Sequence, residues 1–195
     1  ARAFAYEKEK KFLSAIQEYD RIIEISNENP VARRLRIRAI SDLGARSYAL
    51  KEAEMNLAYD TRLRESIEGD MAVDRINWDE PIEAIDILLP QLEDRENLRA
   101  GFDYIIALAE NNNMEEVVTT YEEMIKRGIT LPSWVLENIA RAYLYLEEPE
   151  KALEVYNEAL EMNPVSFNAR MGKFYVLQEL RKWEETKDIL DMLDR

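Results

Sequence analysis

The sequence predicts an all-α fold, a right-handed solenoid of about five helix–turn–helix repeats. Three observations predict it. Apolar residues recur at helical spacing along nearly the whole chain. Small residues recur at 33, 35 and 34 positions from Ala84 to Val117, Ala152 and Thr186, and Ala15 and Ala53 continue the series towards the N-terminus. Residues 133–164, SWVLENIARAYLYLEEPEKALEVYNEALEMNP, lay out one complete unit.

In that unit Leu136, Ile139, Ala140 and Tyr143 fall at i, i+3, i+4 and i+7, one stripe of a helix. Glu147-Glu148-Pro149 breaks the pattern, and Pro149 suits the first turn of a second helix, where its missing N–H costs nothing. Ala152, Tyr156 and Ala159 form the second stripe, and Asn163-Pro164 closes it. Ala140 and Ala152 let two backbones approach, and Tyr143 and Tyr156 fill the space beside them. This arrangement resembles the tetratricopeptide repeat, a unit of about 34 residues. Leu136 stands where that repeat usually has an aromatic, and Ala140 where it usually has Gly.

The other elements follow in order. Residues 7–27 carry Phe12, Ala15, Ile16, Tyr19, Ile22 and Ile23 at helical spacing, which predicts the second helix of a repeat whose first is cut short or missing. Asn29-Pro30-Val31 is expected to end it, as Asn163-Pro164-Val165 ends the later one. Residues 33–45 predict a helix with Leu35, Ile40 and Leu43 inward, and Gly44 and Ser47 mark a turn. Residues 48–56 predict its partner, with Ala49 and Ala53 at the contact. Residues 58–78 are less regular, yet Leu63, Ile67, Met71 and Ile76 keep helical spacing. The segment EPIEAIDILLPQL aligns without gaps to EPEKALEVYNEAL, so Pro81 starts a helix and Pro90 bends or shortens it.

Residues 98–110 are a first helix with Phe102, Ile105 and Leu108 periodic, and three Asn make the turn at 111–113. Val117, Tyr121 and Met124 stripe the next helix, which Lys126-Arg127-Gly128 ends with cations and a Gly. The last pair spans 167–180 and 183–193. No Gly/Ser linker or low-complexity run interrupts the chain, so a single solenoid domain over 1–195, a fragment of a longer chain, is expected.

Composition excludes several functions. The net charge of −14 argues against nucleic acid as the main partner, because phosphates are repelled. It suits either a cationic partner or solubility alone. With no Cys there are no disulfides or thiolate metal sites. With no His, the commonest general base and metal ligand is missing. Phosphate-cradling, dinucleotide and nucleophile-elbow motifs are absent, as is an alternating Asp loop with Gly for calcium. Acidic pairs such as Glu115/Glu116, Glu122/Glu123 and Glu147/Glu148 sit at helix starts, where Glu favours the dipole, and on exposed faces, not in the buried setting that acid–base work needs. The expectation is a protein that is not an enzyme, needs no cofactor and has no membrane span. The one basic stretch holds Arg33, Arg34, Arg36, Arg38, Arg46 and Lys51 against Asp42 alone. It reads either as a face pairing with neighbouring acids or as a dock for an acidic surface.

In tetratricopeptide repeats the first helices line a concave groove, through the helix face opposite the packing stripe. Carried over, that face is Trp134, Glu137, Arg141, Leu144 and Tyr145 in the central unit. The preceding unit supplies Arg99, Phe102, Ile106 and Glu110, and the following one Asn168, Met171, Tyr175 and Gln178. Aromatics with charges of both signs suit a peptide or sugar groove, although the same aromatics could simply pack between repeats. Trp78 and Trp183 read as packing residues.

Three stretches carry a more specific resemblance: 36–78, from RIRAISDLGARSY to AVDRINW; 82–94, IEAIDILLPQLED; and 115–156, from EEVVTTYEEMIKRG to EKALEVY. Glu68-Gly69-Asp70 with Trp78, and Gly128 with Pro132 and Trp134, are their distinctive points. Together they resemble the periplasmic repeat domain of outer-membrane export porins for poly-β-1,6-N-acetylglucosamine. The resemblance implies a site at the periplasmic face of the bacterial outer membrane. It also implies two partners, the periplasmic polysaccharide deacetylase and the partly deacetylated, hence partly cationic, polymer. The β-barrel of that family is not in this sequence. A cellulose-type exporter, or a cytoplasmic adaptor or co-chaperone that clamps an acidic peptide, are the alternatives. The clamp needs clustered cations, and this face offers only Arg99 and Arg141.

Overall fold

The computed structural model describes residues 2–26, 29–94 and 96–193. Every regular element among them is helical, with no strand, as the sequence predicts. None of these helices is long and apolar enough to cross a membrane.

The chain divides into two compact units, 1–91 and 92–195. Unit 1 holds α1 (Arg2–Lys8), α2 (Phe12–Ile25), α3 (Pro30–Asp42), α4 (Arg46–Tyr59), α5 (Arg64–Asn77) and α6 (Pro81–Leu88). A 3-10 helix, Leu89–Glu93, follows directly, so Pro90 cuts the α-helix short as expected. Unit 2 holds α7 (Leu98–Glu110), α8 (Met114–Lys126), α9 (Ser133–Tyr145), α10 (Pro149–Met162), α11 (Phe167–Glu179) and α12 (Trp183–Leu193).

Among the described residues the helices pair into six hairpins, and the same turn closes each one. Lys10, Gly44, Asp79, Asn112, Glu147 and Arg181 all have φ between 55° and 93°, in the left-handed region. The next residue donates its N–H to the carbonyl five back, onto Tyr6, Ile40, Arg75, Leu108, Tyr143 and Leu177, at 2.8–3.2 Å. This bond pattern satisfies the last carbonyls of the first helix and reverses the chain within two residues. Only one of the six positions is Gly, so five turns hold an L residue in a conformation it disfavours.

Small residues then set the distance between paired helices. Ala15, Ala53, Ala84, Val117 and Ala152 are fully buried and Thr186 nearly so, which puts every member of the recurring series at a helix contact. Leu136, Ile139 and Ala140 on α9, and Ala152 and Ala159 on α10, have no exposed surface, Tyr143 and Tyr156 are nearly as buried, and the two helices pack on each other. Each fully buried Leu or Ile of this kind contributes about 1.5–3 kcal/mol. Beyond sequence neighbours, α3 packs on α5 in unit 1, and α7 on α9 and α9 on α11 in unit 2. Within each unit, first helices one repeat apart are thus in contact, the nearest-neighbour stacking of a solenoid.

Several expectations need correction. The first helix of the first pair is cut short, one of the two expected alternatives: α1 has 7 residues where α3, α7, α9 and α11 have 13 each, but α2 begins at Phe12, not before it. Asn29 does not end α2. Its side chain accepts from the N–H of Ala32 at 3.0 Å, so it caps α3, and Pro30 is the first residue of that helix. Asn163, by contrast, follows α10 without such a cap, and Ser166 caps α11 instead. Residues 27–28 lie outside the described residues. Leu43 faces out, 44% exposed, because it is the last residue before Gly44 and α3 buries Ile37 and Ile40 instead. Ser47 lies inside α4, not in the turn.

The basic stretch is largely consumed by partners distant in sequence. Arg34 makes two bonds to Asp70, at 2.6 and 3.0 Å, and Arg36 bonds Asp20 at 2.5 Å and pairs with Glu52. Arg33 lies over the Tyr59 ring and Arg46 over that of Trp78. The reading as a face paired with neighbouring acids fits this geometry.

Gly44 offers a clean measure of what the turn costs. A Cβ added there meets no atom within 4 Å, so any loss comes from backbone alone. Urea denaturation of Gly44→Ala is expected to show about 1 kcal/mol lower stability with unchanged m, and Gly44→Asn a smaller loss. An unchanged Gly44→Ala midpoint refutes the argument.

The tyrosines predict the alkaline limit. Tyr19, Tyr104, Tyr121 and Tyr156 are pushed up to about 12, chiefly by burial. Tyr19 and Tyr104 also donate to Glu7 at 3.0 Å and Glu116 at 2.8 Å, which favours the neutral phenol further. An unfolded phenol titrates near 10, so above that pH the unfolded chain binds fewer protons than the native one. The melting temperature is expected to hold up to about pH 10 and fall between there and about 12. Phenolate absorbance at 295 nm should show these tyrosines titrating only as the fold is lost.

Candidate partner-binding groove

The stacking of α7, α9 and α11 decides which side chains of the expected face come together. Trp134, in the first turn of α9, meets Phe102 of α7 edge to face, with centroids 6.2 Å apart and planes at 88°. Such a pair adds about 0.5–1.5 kcal/mol beyond burial. It ties the two helices together, yet Trp134 stays 45% exposed. Two turns along, Arg141 of α9 bonds Glu110 at the end of α7 at 2.8 Å. Glu137 accepts from the Ser166 hydroxyl at 2.6 Å, and the same hydroxyl oxygen caps α11 by accepting from the N–H of Ala169. Thus one ion pair and one capping residue fix the spacing of successive first helices.

Between α9 and α11 these residues enclose an open groove of about 520 Å³. Glu110, Glu137, Arg141, Met171 and Tyr175 line it, over a floor that includes Tyr156. Tyr175 is 55% exposed and stands edge to face with Phe174 at 5.7 Å. The groove therefore offers an exposed aromatic, a flexible thioether and two carboxylates against one guanidinium. Glu110 already has its cation, and Glu137 has a hydroxyl partner. Glu137 is thus the carboxylate with charge to offer.

Not every expected residue joins in: Phe102 and Trp134 pack on each other outside the groove lining, and Gln178 lies outside it too. Arg99 turns to Asp103 on its own helix at 3.3 Å. Ile106 is half-buried on α7, and Tyr145 is exposed at the end of α9 outside the groove lining. Leu144 and Asn168 do line it.

Four contributors, Asn138, Tyr156, Ser166 and Gly172, were not on the expected face. Ser166 lies just before α11, where no helical periodicity reaches it. Tyr156 belongs to the packing stripe of α10, and it reaches the groove because Gly172 leaves room. A Cβ on Gly172 would lie 2.2–2.4 Å from the Tyr156 ring. A glycine inside a helix is the signal for such an approach. Burial of the Tyr156 phenol pushes it up to about 12, so it stays neutral and presents a hydroxyl. Among the described residues no group of three or more carboxylates is placed to hold a metal ion.

Comparisons with known proteins bear on this geometry. Residues 133–164 match the family model of the tetratricopeptide repeat. No curated protein matches the sequence significantly. Among solved structures, the chain is similar to a tetratricopeptide-repeat protein from Parabacteroides merdae, with TM-score 0.71 and 14% identity over 98% of this chain and 75% of that one. It is similar to PilW, a type IV pilus biogenesis factor, with TM-score 0.79 and 13% identity over 98% and 88%. YrrB, described as having an unusual peptide-binding site, gives TM-score 0.62 and 18% identity over 88% of both chains. Residues 133–164 form a tetratricopeptide repeat, and the fold of the chain is that of tetratricopeptide-repeat proteins.

Proposed function

We propose that the chain is a non-catalytic binding scaffold that holds a partner in the groove between α9 and α11. The observation that carries this reading is the meeting there of Tyr175 and Met171 with Glu137, Glu110 and Arg141. Flat apolar surface gives a ligand contact area, and the charged rim gives it direction. The resemblance of residues 36–78 and 115–156 supports a more specific assignment. In it the scaffold stands at the periplasmic face of an outer-membrane exopolysaccharide export porin, and takes the partly deacetylated polymer or its deacetylase. A sugar ring would stack on Tyr175, and a free amine would meet Glu137. A second reading, a peptide-binding adaptor, is favoured by the similarity in fold to YrrB.

Exposed ion pairs contribute about 0–1 kcal/mol each, so binding of the polymer should be weak and salt-sensitive. Partly deacetylated glucosamine oligomers titrated into the protein are expected to bind at low salt and release at raised salt. Fully acetylated oligomers should bind more weakly. Tyr175→Ala combined with Glu137→Gln, both in the groove lining, should weaken binding while circular dichroism stays helical. Equal binding of acetylated and deacetylated oligomers would refute the cationic reading. Loss of all oligomer binding, with a deacetylase still captured, would leave the protein partner.

A further inference from the structure

Unit 1 carries a second groove, among α2, α3 and α4, with a volume of about 500 Å³. Its apolar lining is Ile23, Ile37, Met55 and Tyr59. Met55 and Tyr59 lie one turn apart on α4 and are 64% and 73% exposed. The charged side chains around it cancel. Arg36 is bonded to Asp20 and paired with Glu52, and Arg33 lies over the Tyr59 ring, 5.3 Å from its centre. A charged ligand would therefore have to displace an existing partner.

Asn56 also lines this groove. It is only 8% exposed, and its Oδ1 has no hydrogen-bond partner. A buried acceptor without a donor works against folding, because it has lost water and gained nothing. A Leu of similar shape on the same face of α4 would avoid that loss. Stability of the fold therefore does not explain this side chain.

We infer that this groove binds a short extended peptide segment, with an aliphatic side chain among Ile23, Ile37 and Met55 and a main-chain N–H donated to Asn56 Oδ1. A neutral, mostly apolar groove with one orphaned acceptor selects an uncharged donor beside a hydrocarbon group, and a peptide amide next to an aliphatic residue is that combination. An anion has no proton to give Oδ1, and a cation would be desolvated beside Arg33 and Arg36. Oδ1 is enclosed, so the amide reaches it only as side chains lining the groove move aside, and Met55, unbranched and exposed, is free to do so.

The probe is N-acetyl-L-leucine-N′-methylamide, titrated into the full chain labelled at methionine methyls and backbone amides. Saturable shifts are expected at Met55, Asn56 and Tyr59. The fully N-methylated analogue, which keeps the leucine side chain and has no N–H, should bind about tenfold more weakly. Asn56→Leu should raise the melting temperature and weaken binding of the first probe by about tenfold. Met55→Glu, at an exposed position, should keep the fold and abolish binding. Equal binding of the two probes, undiminished binding to Asn56→Leu, a lower melting temperature for Asn56→Leu, or shifts confined to unit 2 would each overturn the inference.

Discussion

Everything else depends on the left-handed residue between the two helices of each hairpin. It recurs at 10, 44, 79, 112, 147 and 181, and the bond that follows it always falls on the carbonyl five residues back. That bond ends the first helix at a fixed point and aims the second back along it. The face on which the pair must meet is then decided, and a residue larger than Ala at 15, 53, 84 or 152 would hold the backbones apart. Turn and small residue work together: the turn sets direction and the Ala sets distance. Five of the six turns accept the strain of an L residue, and the buried surface of each helix pair offsets it.

The groove in unit 2 is a consequence of that spacing. Because α7, α9 and α11 lie side by side, residues one repeat apart become neighbours: Phe102 with Trp134, Glu110 with Arg141, Glu137 with Ser166. These contacts are partly structural and partly available to a ligand. Trp134 braces α7 and still shows nearly half its surface. Glu110 spends its charge on Arg141, which leaves Glu137 as the side chain to answer a cation. A surface of net charge −14 does not by itself make a cation site, since local pairing decides which carboxylates are available.

Unit 1 uses the same architecture with a different electrostatic outcome. Six cations in residues 31–51 suggest a dock for an acidic partner, yet Asp70, lying 36 residues on, takes Arg34, and Asp20 and Glu52 take Arg36. The Asp70 bond holds Arg34 above its ordinary range, so the pair acts as a clasp between α3 and α5. What remains in the groove among α2, α3 and α4 is apolar surface and one orphaned carboxamide.

Helix type, the limits of α7 and α12, the shortening of α6 at Pro90 and the recurring buried small residues were all legible in the sequence. Each is a local property: a period of 3.6, a missing N–H, a side chain too small to keep helices apart. Tertiary structure alone decided the rest. Leu43 keeps the helical period but stands at the turn and faces out. Asn29 and Asn163 sit in the same tripeptide, yet the first caps a helix and the second does not, because the next helix starts at a different distance. Tyr156 enters the groove only because Gly172 on another helix gives way, and Asn56 is orphaned only because three helices enclose it. Sequence periodicity tells a residue which way to point along its own helix. What it meets there is set by the packing of helices that are far apart in the chain.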